Sequence, residues 1–290
     1  AFAGMTARLL FMFESVSLSF EERAQVDSLF ASIDAGLTDA VASLFDGLNR
    51  EQITALSHPL SAGKPLLIIA GAGSGKTAVL TRRVALLLLA DIPADRIFVS
   101  TFTVKAAGEM KERIGKLLET LSRTTEGTLR IKIMGILSHF PKAWIGTFHS
   151  LCRRLLKEKN SDGFSPIEEM GYPPAFQIVS DSQSRKMLKE IVETLPVKAD
   201  ARDIAGAMDL AANELLTPAA LADRKIYAGV PADIIAETWT KYAEAKRSRG
   251  VVDFTDLLYL SATAFADRRM CAENWKSRFS TRAEKTCAVQ

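Results

Sequence analysis

The sequence has little cysteine and no long hydrophobic run, and each shortage excludes a class of protein. Its three cysteines, Cys152, Cys271 and Cys287, have neither the spacing of a metal site nor the density of a disulfide scaffold. Such usage is typical of a reducing cytoplasm. The nearest candidate for a membrane span, Val84–Ala90, is shorter than the roughly 18 residues required, and no export signal is recognisable. We therefore expect a cytoplasmic protein with no membrane partner.

The sequence also lacks a strong excess of charge of one sign. Its 37 basic and 34 acidic side chains leave a net charge of +3, which is too small to indicate a nucleic-acid partner by itself. Any such partner has to be argued from local residues. The length of 290 residues is enough for one large domain or two ordinary ones, and either can bury a core.

One stretch dominates what is present: four branched apolar residues, followed by a glycine-rich loop that ends in Gly-Lys-Thr. Residues 66–69 favour a strand buried on both faces, and the glycines of residues 71–75 let backbone N–H groups turn toward a polyanion. We expect a helix to begin at about Gly75, so that its amides and dipole face phosphates. Lys76 is then placed to reach the β- and γ-phosphate oxygens, and Thr77 to bind Mg²⁺.

Ala70 stands where the first glycine of such a phosphate loop is usually found, which gives the pattern Ala-x4-Gly-Lys-Thr. The alternative interpretation is a glycine turn before an ordinary helix. The phosphate loop is the better interpretation, because the strand, loop and helix patterns occur together in the expected order.

The residues before this loop predict helices. Residues 1–46 are amphipathic, most clearly where Val26, Leu29, Phe30 and Ile33 recur at helical spacing. We assign no function to them.

Asn49 and Gln52 have two interpretations. Asn49 can cap a helix, and Gln52 at the third helical position can complete a capping box. Alternatively, the Gln52 amide reads adenine, which presents an adjacent donor and acceptor.

Two similar polar corners follow predicted strands. Residues 96–100 and 143–147 each predict a short buried strand, and each strand runs into a Thr-Phe pair and then a helix. The corner residues are Thr101, Phe102, Thr103, Lys105, Thr147, Phe148 and His149. The strand at residues 66–69, the loop, its helix and the strand at 96–100 form a βαβ unit, so we expect a parallel sheet with nucleotide at its carboxyl edge. Aromatic rings among hydroxyl and basic groups are suited to stacking bases and holding phosphates.

Each corner also has a structural interpretation. A phenylalanine such as Phe102, at the end of a strand, is commonly a core residue. His149 is better explained as a capping or packed histidine than as a catalyst, since no paired acid or nucleophile is visible nearby. If both corners lie at neighbouring strand ends, they form one groove.

The rest of the chain is mainly helical. Residues 122–141 are mixed and turn-prone, whereas later stretches predict helices at 182–195, 199–215, 218–227 and 232–249. The basic residues Lys241, Lys246, Arg247 and Arg249 form either a solvated helix end or a phosphate contact. Asp253 predicts a helix cap, with metal binding by Asp253 and Asp256 as the weaker alternative.

Taken in order, five segments resemble the first part of a superfamily 1 DNA helicase of the UvrD/Rep/PcrA type. The matching segments are Leu48-Asn49-x-x-Gln52, Ala70–Thr77, Thr101–Met110, Gly146–Ser150 and Asp253–Leu258. The likeness covers roughly residues 47–279.

The resemblance implies an α/β fold, in which a RecA-like P-loop parallel sheet forms an incomplete first motor domain and carries an inserted, mainly helical subdomain. The implied division is an N-terminal helical extension at 1–46, a RecA-like ATP-binding domain at 47–158, a helical insertion at 159–250, and a return helix with an atypical tail at 251–290.

The same resemblance implies ATP and Mg²⁺ as cofactors, with Lys76 and Thr77 as catalytic residues and Thr77 as the metal ligand. The implied nucleotide-binding residues are Gln52, Ala70, Gly71, Ala72, Gly73, Ser74, Gly75, Lys76, Thr77 and Ala78. The implied contacts to single-stranded DNA are the seven corner residues named above.

The sequence departs from the family pattern at three places. Val104 stands where the family usually has asparagine, and Ala78 stands where arginine commonly follows the Lys-Thr pair. After Trp275–Phe279 the family continues into a buried strand and an Asp-Glu-x-Gln-Asp motif, but residues 280–290 contain neither. We therefore expect a truncated or frame-shifted product, or one piece of a naturally split enzyme.

The function implied for the intact family member is ATP-driven 3′ to 5′ translocation and unwinding, with single-stranded or partly duplex DNA as partner. For this chain we expect weak nucleotide binding at Lys76, weak and salt-sensitive binding of single-stranded DNA across Phe102 and Phe148, and negligible turnover of its own. The alternative is a non-enzymatic nucleotide- or DNA-binding module, or a split-helicase subunit that needs a chain carrying the second motor domain. A small-molecule kinase shares the loop but is disfavoured by the two Thr-Phe corners.

Overall fold

The computed structural model describes residues 20–31, 37–58, 66–159, 163–195 and 200–266. The first 19 residues and the tail after Ala266, including Cys271, Cys287 and the segment 275–290, lie outside the described residues. Within the described ranges, no helix has both the length and the hydropathy of a membrane span.

The described residues fall into two compact units, the first ending at Thr147 and the second beginning at Phe148. In the first unit the elements are α1 Phe20–Ala31, α2 Thr38–Ser43, α3 Arg50–Ser57, α4 Lys76–Leu89, β1 Phe98–Thr101, α5 Val104–Thr124, α6 Gly127–His139 and β2 Trp144–Thr147. In the second unit they are α7 Phe148–Lys157, α8 Pro166–Glu169, β3 Gln177–Ile178, α9 Asp181–Val192, α10 Ala201–Asn213, α11 Pro218–Ala222, β4 Ile226–Tyr227, β5 Val230–Pro231, α12 Ala232–Arg249, β6 Val251–Val252 and α13 Phe254–Ala266. The fold is therefore mixed α/β and mostly helical.

Helix α4 is central to the core of the first unit. Its residues Val84 and Leu89 are fully buried, and the helix packs against α3 and α5. A helix with apolar residues on most of its faces, as in residues 84–90, is stable only where neighbours cover it on several sides. The start of α4, at the glycine-rich loop, is thereby fixed in position.

Strands β1 and β2 are parallel and pair in register from Phe98 opposite Trp144 to Thr101 opposite Thr147. The predicted strands at residues 96–100 and 143–147 are confirmed within two residues at each end. Because parallel strands end at the same edge of a sheet, Thr101 and Thr147 lie side by side at the carboxyl end.

The predicted strand at residues 66–69 is wrong. Residues 66–70 form no strand, and Leu67 and Ile69 are 79% and 89% exposed. A buried parallel strand needs strand neighbours for its backbone groups and helices over both faces. Among the residues that the structure describes, β1 and β2 pair with each other, and no strand pairs with residues 66–70. Within those ranges the run of branched residues lacks the partners that its pattern requires.

Residues 122–141 were predicted to be turn-prone, and this is also wrong, because most of them form α6. Leu129, Ile133, Ile136 and Leu137 recur at helical spacing and pack on the core of the first unit, with Ile133 fully buried. The apolar period of these four residues outweighs the low helix propensity of Gly127 and Gly135.

The helical prediction for the second unit is confirmed for α9, α10 and α12, within a few residues at each end. Helix α11 is shorter than expected and ends at Ala222. Ile226–Tyr227 and Val230–Pro231 form an antiparallel hairpin whose two-residue turn has positive φ angles at Ala228 and Gly229. The division at 158/159 and 250/251 stays a prediction.

Candidate nucleotide and nucleic-acid sites

The glycine-rich loop leads directly into α4, as predicted. Gly75 is the residue before the first helical turn, with φ of 84°, and Gly73 has φ of 75°. Residues other than glycine are strained at these positive φ angles. Gly75 gives the first turn no side-chain cap. The N-terminal amides and dipole of a 14-residue helix therefore face an exposed loop, which is the environment that favours an anion.

Lys76 lies over this loop. Its ammonium group donates a hydrogen bond to the carbonyl of Ala70, at 2.8 Å, and another to the carbonyl of Gly71. The Ser74 hydroxyl also donates to Gly71, at 2.8 Å. A cation held against the loop backbone, next to exposed helix amides, forms a donor set that fits phosphate oxygens. Ala70 contributes through its carbonyl, so alanine in place of the usual glycine still provides this contact.

Of the two interpretations of Gln52, the structure shows the capping box, and adenine reading stays a prediction. The predicted capping box is confirmed, with Gln52 N–H donating to Asn49 Oδ1 at 2.9 Å and Asn49 N–H donating to Gln52 Oε1 at 3.1 Å. The same side chain reaches the loop, where Gln52 Nε2 donates to the Ser74 carbonyl at 3.0 Å. A Cβ atom at Gly75 would stand only 2.6 Å from that nitrogen. Glycine at this position thus permits the glutamine to approach.

The metal part of the site is less complete. Thr77 is exposed in the first turn of α4, where its hydroxyl is available as an oxygen ligand. In the ranges that the structure describes, no group of three or more His, Cys, Asp or Glu side chains could hold a metal ion. A Mg²⁺ ion here would depend on Thr77 together with the oxygens of a bound phosphate.

The corner after β1 presents Phe102 to solvent. Its side chain is 87% exposed, so the interpretation of Phe102 as a core residue is wrong. Thr101 Oγ1 donates to the Thr103 carbonyl at 3.0 Å, and Thr103 Oγ1 accepts from Ala106 N–H at 3.1 Å, capping α5. Both hydroxyls therefore support the corner, while Phe102 and the 87% exposed side chain of Lys105 project from it.

The corresponding corner in the second unit begins α7. Phe148 is 54% exposed, and the ring of His149 meets the ring of Phe254 edge to face, with centroids 5.5 Å apart. His149 is thus a packed histidine, as one interpretation predicted. Beside it lies a pocket of about 240 Å³, which is lined by Phe254, Tyr259, Asn213, Thr255 and Leu258 among others.

Sequence reasoning missed this pocket. The sequence pattern includes Phe254 in the segment Asp253–Leu258 but indicates no role for Phe254, Tyr259 or Asn213. His149 and Phe254 are more than 100 positions apart, so their contact depends on how α7 and α13 pack. The one available signal in the sequence is that an aromatic residue, Phe254, directly follows the predicted helix cap Asp253.

The cap at Asp253 is confirmed and is part of a buried ion cluster. Asp256 N–H donates to Asp253 Oδ1 at 2.8 Å, and Asp253 N–H donates to Asp256 Oδ2 at 3.0 Å. Lys246 is only 2% exposed, and its ammonium lies 2.8 Å from Asp253 and 2.7 Å from Asp256. Both interpretations of Lys246, as a solvated residue or a phosphate contact, are wrong. Because a lysine occupies the space between the two carboxylates, the metal interpretation of this pair is wrong as well.

The two carboxylates of this cluster have opposite pKa shifts. Burial raises the pKa of Asp256 to about 6. Burial also opposes ionisation of Asp253, but Lys246, together with hydrogen bonds from Asp256 N–H and Tyr242, outweighs it and holds the pKa of Asp253 below its usual value. Lys246 and the hydrogen bonds therefore outweigh the effect of burial on the pKa of Asp253, whereas at Asp256 the effect of burial is larger.

Comparison with known proteins finds one family along most of the chain. The family model of the UvrD/REP helicase N-terminal domain matches residues 48–281. ATP-dependent DNA helicase PcrA of Leuconostoc citreum is 36% identical over 235 residues, which is 78% of this chain and 27% of the relative. ATP-dependent DNA helicase UvrD1 of Mycobacterium tuberculosis is 34% identical over 241 residues, 81% of this chain and 28% of the relative. The PcrA of Staphylococcus aureus is 29% identical over 241 residues.

The chain thus spans 27% and 28% of the length of the first two of these relatives. The matched region contains the loop, both Thr-Phe corners and the Asp253–Asp256 cap, but not helices α1 and α2.

Proposed function

The chain belongs to the family of the UvrD/REP helicase N-terminal domain, and from this premise we propose that it binds ATP with Mg²⁺ and single-stranded DNA as the first part of a DNA translocase. The nucleotide site is the loop Ala70–Thr77 with Gln52. The single observation that carries the proposal is the placement of the Lys76 ammonium over that loop, at the start of α4. The direct test is calorimetric titration with ATP in the presence of Mg²⁺.

The nucleotide part of the proposal assigns each residue a separate task. The amides of residues 73–77 and the Lys76 ammonium bind the phosphates, with Lys76 exchanging the carbonyls of Ala70 and Gly71 for phosphate oxygens. Thr77 ligates Mg²⁺, which would neutralise charge on the phosphates. Gln52 presents an amide donor and acceptor beside the loop, and these match the N7 acceptor and N6 donor of adenine.

The proposed fold of this region is a RecA-like motor domain at 47–158 with the helical insertion at 159–250. The proposed activity of the whole protein is ATP-driven translocation in the 3′ to 5′ direction, leading to unwinding. A motor of this kind needs a second domain that closes on the nucleotide and supplies an arginine finger, which contributes about 10³ to 10⁵ in rate. We therefore expect the 290 residues alone to bind ATP but to hydrolyse it slowly.

The DNA part of the proposal rests on exposed aromatic rings at the ends of parallel strands. Every base has a π-face, so any base of a single strand can stack on such a ring, and nearby cations bind the phosphates. In the first unit the ring is Phe102, with Lys105 close in the chain. In the second unit the exposed ring of Phe148 provides one ring face. The pocket beside His149 and Phe254 has the size of a base and provides further ring faces and polar groups.

Replacing Phe102 with alanine should weaken binding of an oligo(dT) strand by about 1–3 kcal/mol, because one base loses its stacking partner. The matched control is Ile131→Ala, which removes a 71% exposed apolar side chain from α6 of the same unit. Fluorescence anisotropy with a labelled oligonucleotide at low and moderate salt measures both. Equal affinity of the two variants would remove Phe102 from the DNA site.

Replacing Phe254 with leucine should weaken oligo(dT) binding by about 1 kcal/mol or more, since leucine fills much of the same space but has no ring face. Phe164→Leu is the control, because Phe164 is an exposed phenylalanine of the same unit outside the pocket. The same anisotropy assay applies, with circular dichroism to establish that both variants are folded. If Phe164→Leu reduces affinity as much as Phe254→Leu does, the pocket has no specific role.

A further inference from the structure

Helix α3, which carries Gln52, is held at its far end by the helix that begins at the phosphate loop. The last carbonyls of a helix have no partner within it and need donors from elsewhere. Arg83 of α4 supplies one, with Nη1 donating to the Leu56 carbonyl at 2.6 Å. Arg83 is only 8% exposed, so this charged donor is directed into the structure and away from solvent.

The same helix also holds the segment before α3. Arg82 donates to the carbonyls of Leu44, at 3.1 Å, and Asp46, at 2.8 Å. From the outer side, Gln25 of α1 donates to the Thr54 carbonyl at 3.1 Å and to Ser57 Oγ at 3.3 Å. Helix α3 is therefore braced by Arg83 of α4 and by a helix that precedes the residues matched by the family model, while Arg82 holds the segment before α3.

This bracing fixes the position of Gln52, which is proposed to bind the base, relative to the loop that is proposed to bind the phosphates. Lys76 and Arg83 are seven residues apart on one helix, about 10 Å along its axis. The N-terminus of α4 is the phosphate-binding end, and Arg83 in the middle of the same helix fixes the helix that presents Gln52. Since a bidentate contact to a base tolerates only about 0.5 Å of displacement, the position of α3 decides whether Gln52 meets the base edge.

We propose that Arg83 is a positioning residue for adenine recognition, holding Gln52 at a fixed place relative to the phosphate loop, with Gln25 of α1 as an outer brace. The proposal rests on the proposed function of Gln52 as the reader of adenine. Guanine presents O6, an acceptor, where adenine presents its N6 donor, so correct placement of the Gln52 amide favours ATP over GTP. Loss of the brace then reduces this preference and leaves phosphate binding intact.

The test compares Kd values for ATP, GTP and tripolyphosphate, each with Mg²⁺, in the wild type and in Arg83→Met. Methionine keeps much of the apolar stem but has no donor. We expect the wild type to prefer ATP by about tenfold and Arg83→Met by about twofold, with unchanged affinity for tripolyphosphate. Arg83→Lys should restore part of the preference. Arg113→Met, which removes an exposed arginine of α5 in the same unit, should leave the preference unchanged.

The variant Gln52→Ala distinguishes a failure of adenine reading by Gln52 from a failure of the positioning role of Arg83. If Gln52→Ala leaves the ratio of ATP to GTP affinity unchanged, adenine reading by Gln52 is wrong and the proposed function of that residue fails. If Gln52→Ala abolishes the preference but Arg83→Met keeps it, the positioning role alone is overturned. Equal losses for tripolyphosphate and ATP in Arg83→Met also overturn it, because they place the effect on the phosphate loop.

Gln25→Leu provides a second variant should Arg83→Met fold poorly. It removes two hydrogen bonds from α3 while Arg83 and its contact to Leu56 remain. The preference for ATP should fall in the same direction, by about twofold to threefold. A preference for ATP that is unchanged from the wild type in folded Gln25→Leu overturns the proposal.

Discussion

Lys246→Met should lower the free energy of unfolding by about 3–5 kcal/mol, because it leaves two buried carboxylates without their cation. Lys246 is 2% exposed and hydrogen bonds to both Asp253 and Asp256, which begin α13. Its ammonium also lies 4.0 Å from the ring centre of Tyr242. The variant removes all of these contacts at once. Chemical denaturation followed by circular dichroism measures the loss.

The matched control is Lys241→Met, on the same helix α12. Lys241 pairs with Glu237 at 2.7 Å, but its side chain is 42% exposed. Exposed pairs of this type contribute about 0–1 kcal/mol, so this variant should be close to the wild type. Adding Asp253→Asn and Asp256→Asn to Lys246→Met should recover part of the loss, since neutral side chains cost less to bury. Equal stability of the two lysine variants would show that the cluster contributes no more than a surface pair.

The loss caused by Lys246→Met should also depend on pH in a defined direction. Burial raises the pKa of Asp256 to about 6, above its unfolded value, so its protonated form favours the folded state. Such a group contributes stability that is present below the unfolded pKa and is lost as pH rises through about 6. Removing Lys246 takes away a cation that lowers the pKa of both acids, so the variant gains more from acidification. The difference from the wild type should therefore be smaller at about pH 5 than at about pH 7.5.

The parts of the site that were predictable from sequence depend on neighbours in the chain. The start of α4 after Gly75 follows from the glycine pattern, and the capping box of Asn49 and Gln52 follows from a spacing of three residues. The two short strands β1 and β2 follow from apolar residues that lead into Thr-Phe corners. In each case the physical cause, a backbone angle or a local hydrogen bond, lies within a few residues.

The parts that failed depend on distant partners. Residues 66–69 have the composition of a buried strand, but composition does not show whether a neighbouring strand is present to pair with them. Lys246 is one of several basic residues on α12, and only the packing of α13 selects it for burial. The contact of His149 with Phe254 joins residues more than 100 positions apart. Such contacts are decided by packing between elements, which a local pattern does not contain.

Lys76→Ala should reduce affinity for ATP with Mg²⁺ by about tenfold to a hundredfold, because a charge-assisted hydrogen bond to phosphate contributes about 1.5–3 kcal/mol. The ammonium that now binds the carbonyls of Ala70 and Gly71 is the strongest donor at the loop. Affinity for AMP should change much less, because Lys76 is proposed to reach only the β- and γ-phosphates. Calorimetry with both nucleotides measures the two effects.

Lys116→Ala is the control for Lys76→Ala, since Lys116 is a 70% exposed lysine of the same unit paired with Glu112 on α5. It should leave the affinities for ATP and AMP unchanged. Tripolyphosphate should compete with ATP in the wild type and in Lys116→Ala, but only weakly in Lys76→Ala. An affinity for ATP that is the same in Lys76→Ala and the wild type would mean that phosphates bind elsewhere. A loss equal for AMP and ATP would instead indicate that the lysine supports the shape of the loop through Ala70 and Gly71, because a contact limited to the outer phosphates affects ATP alone.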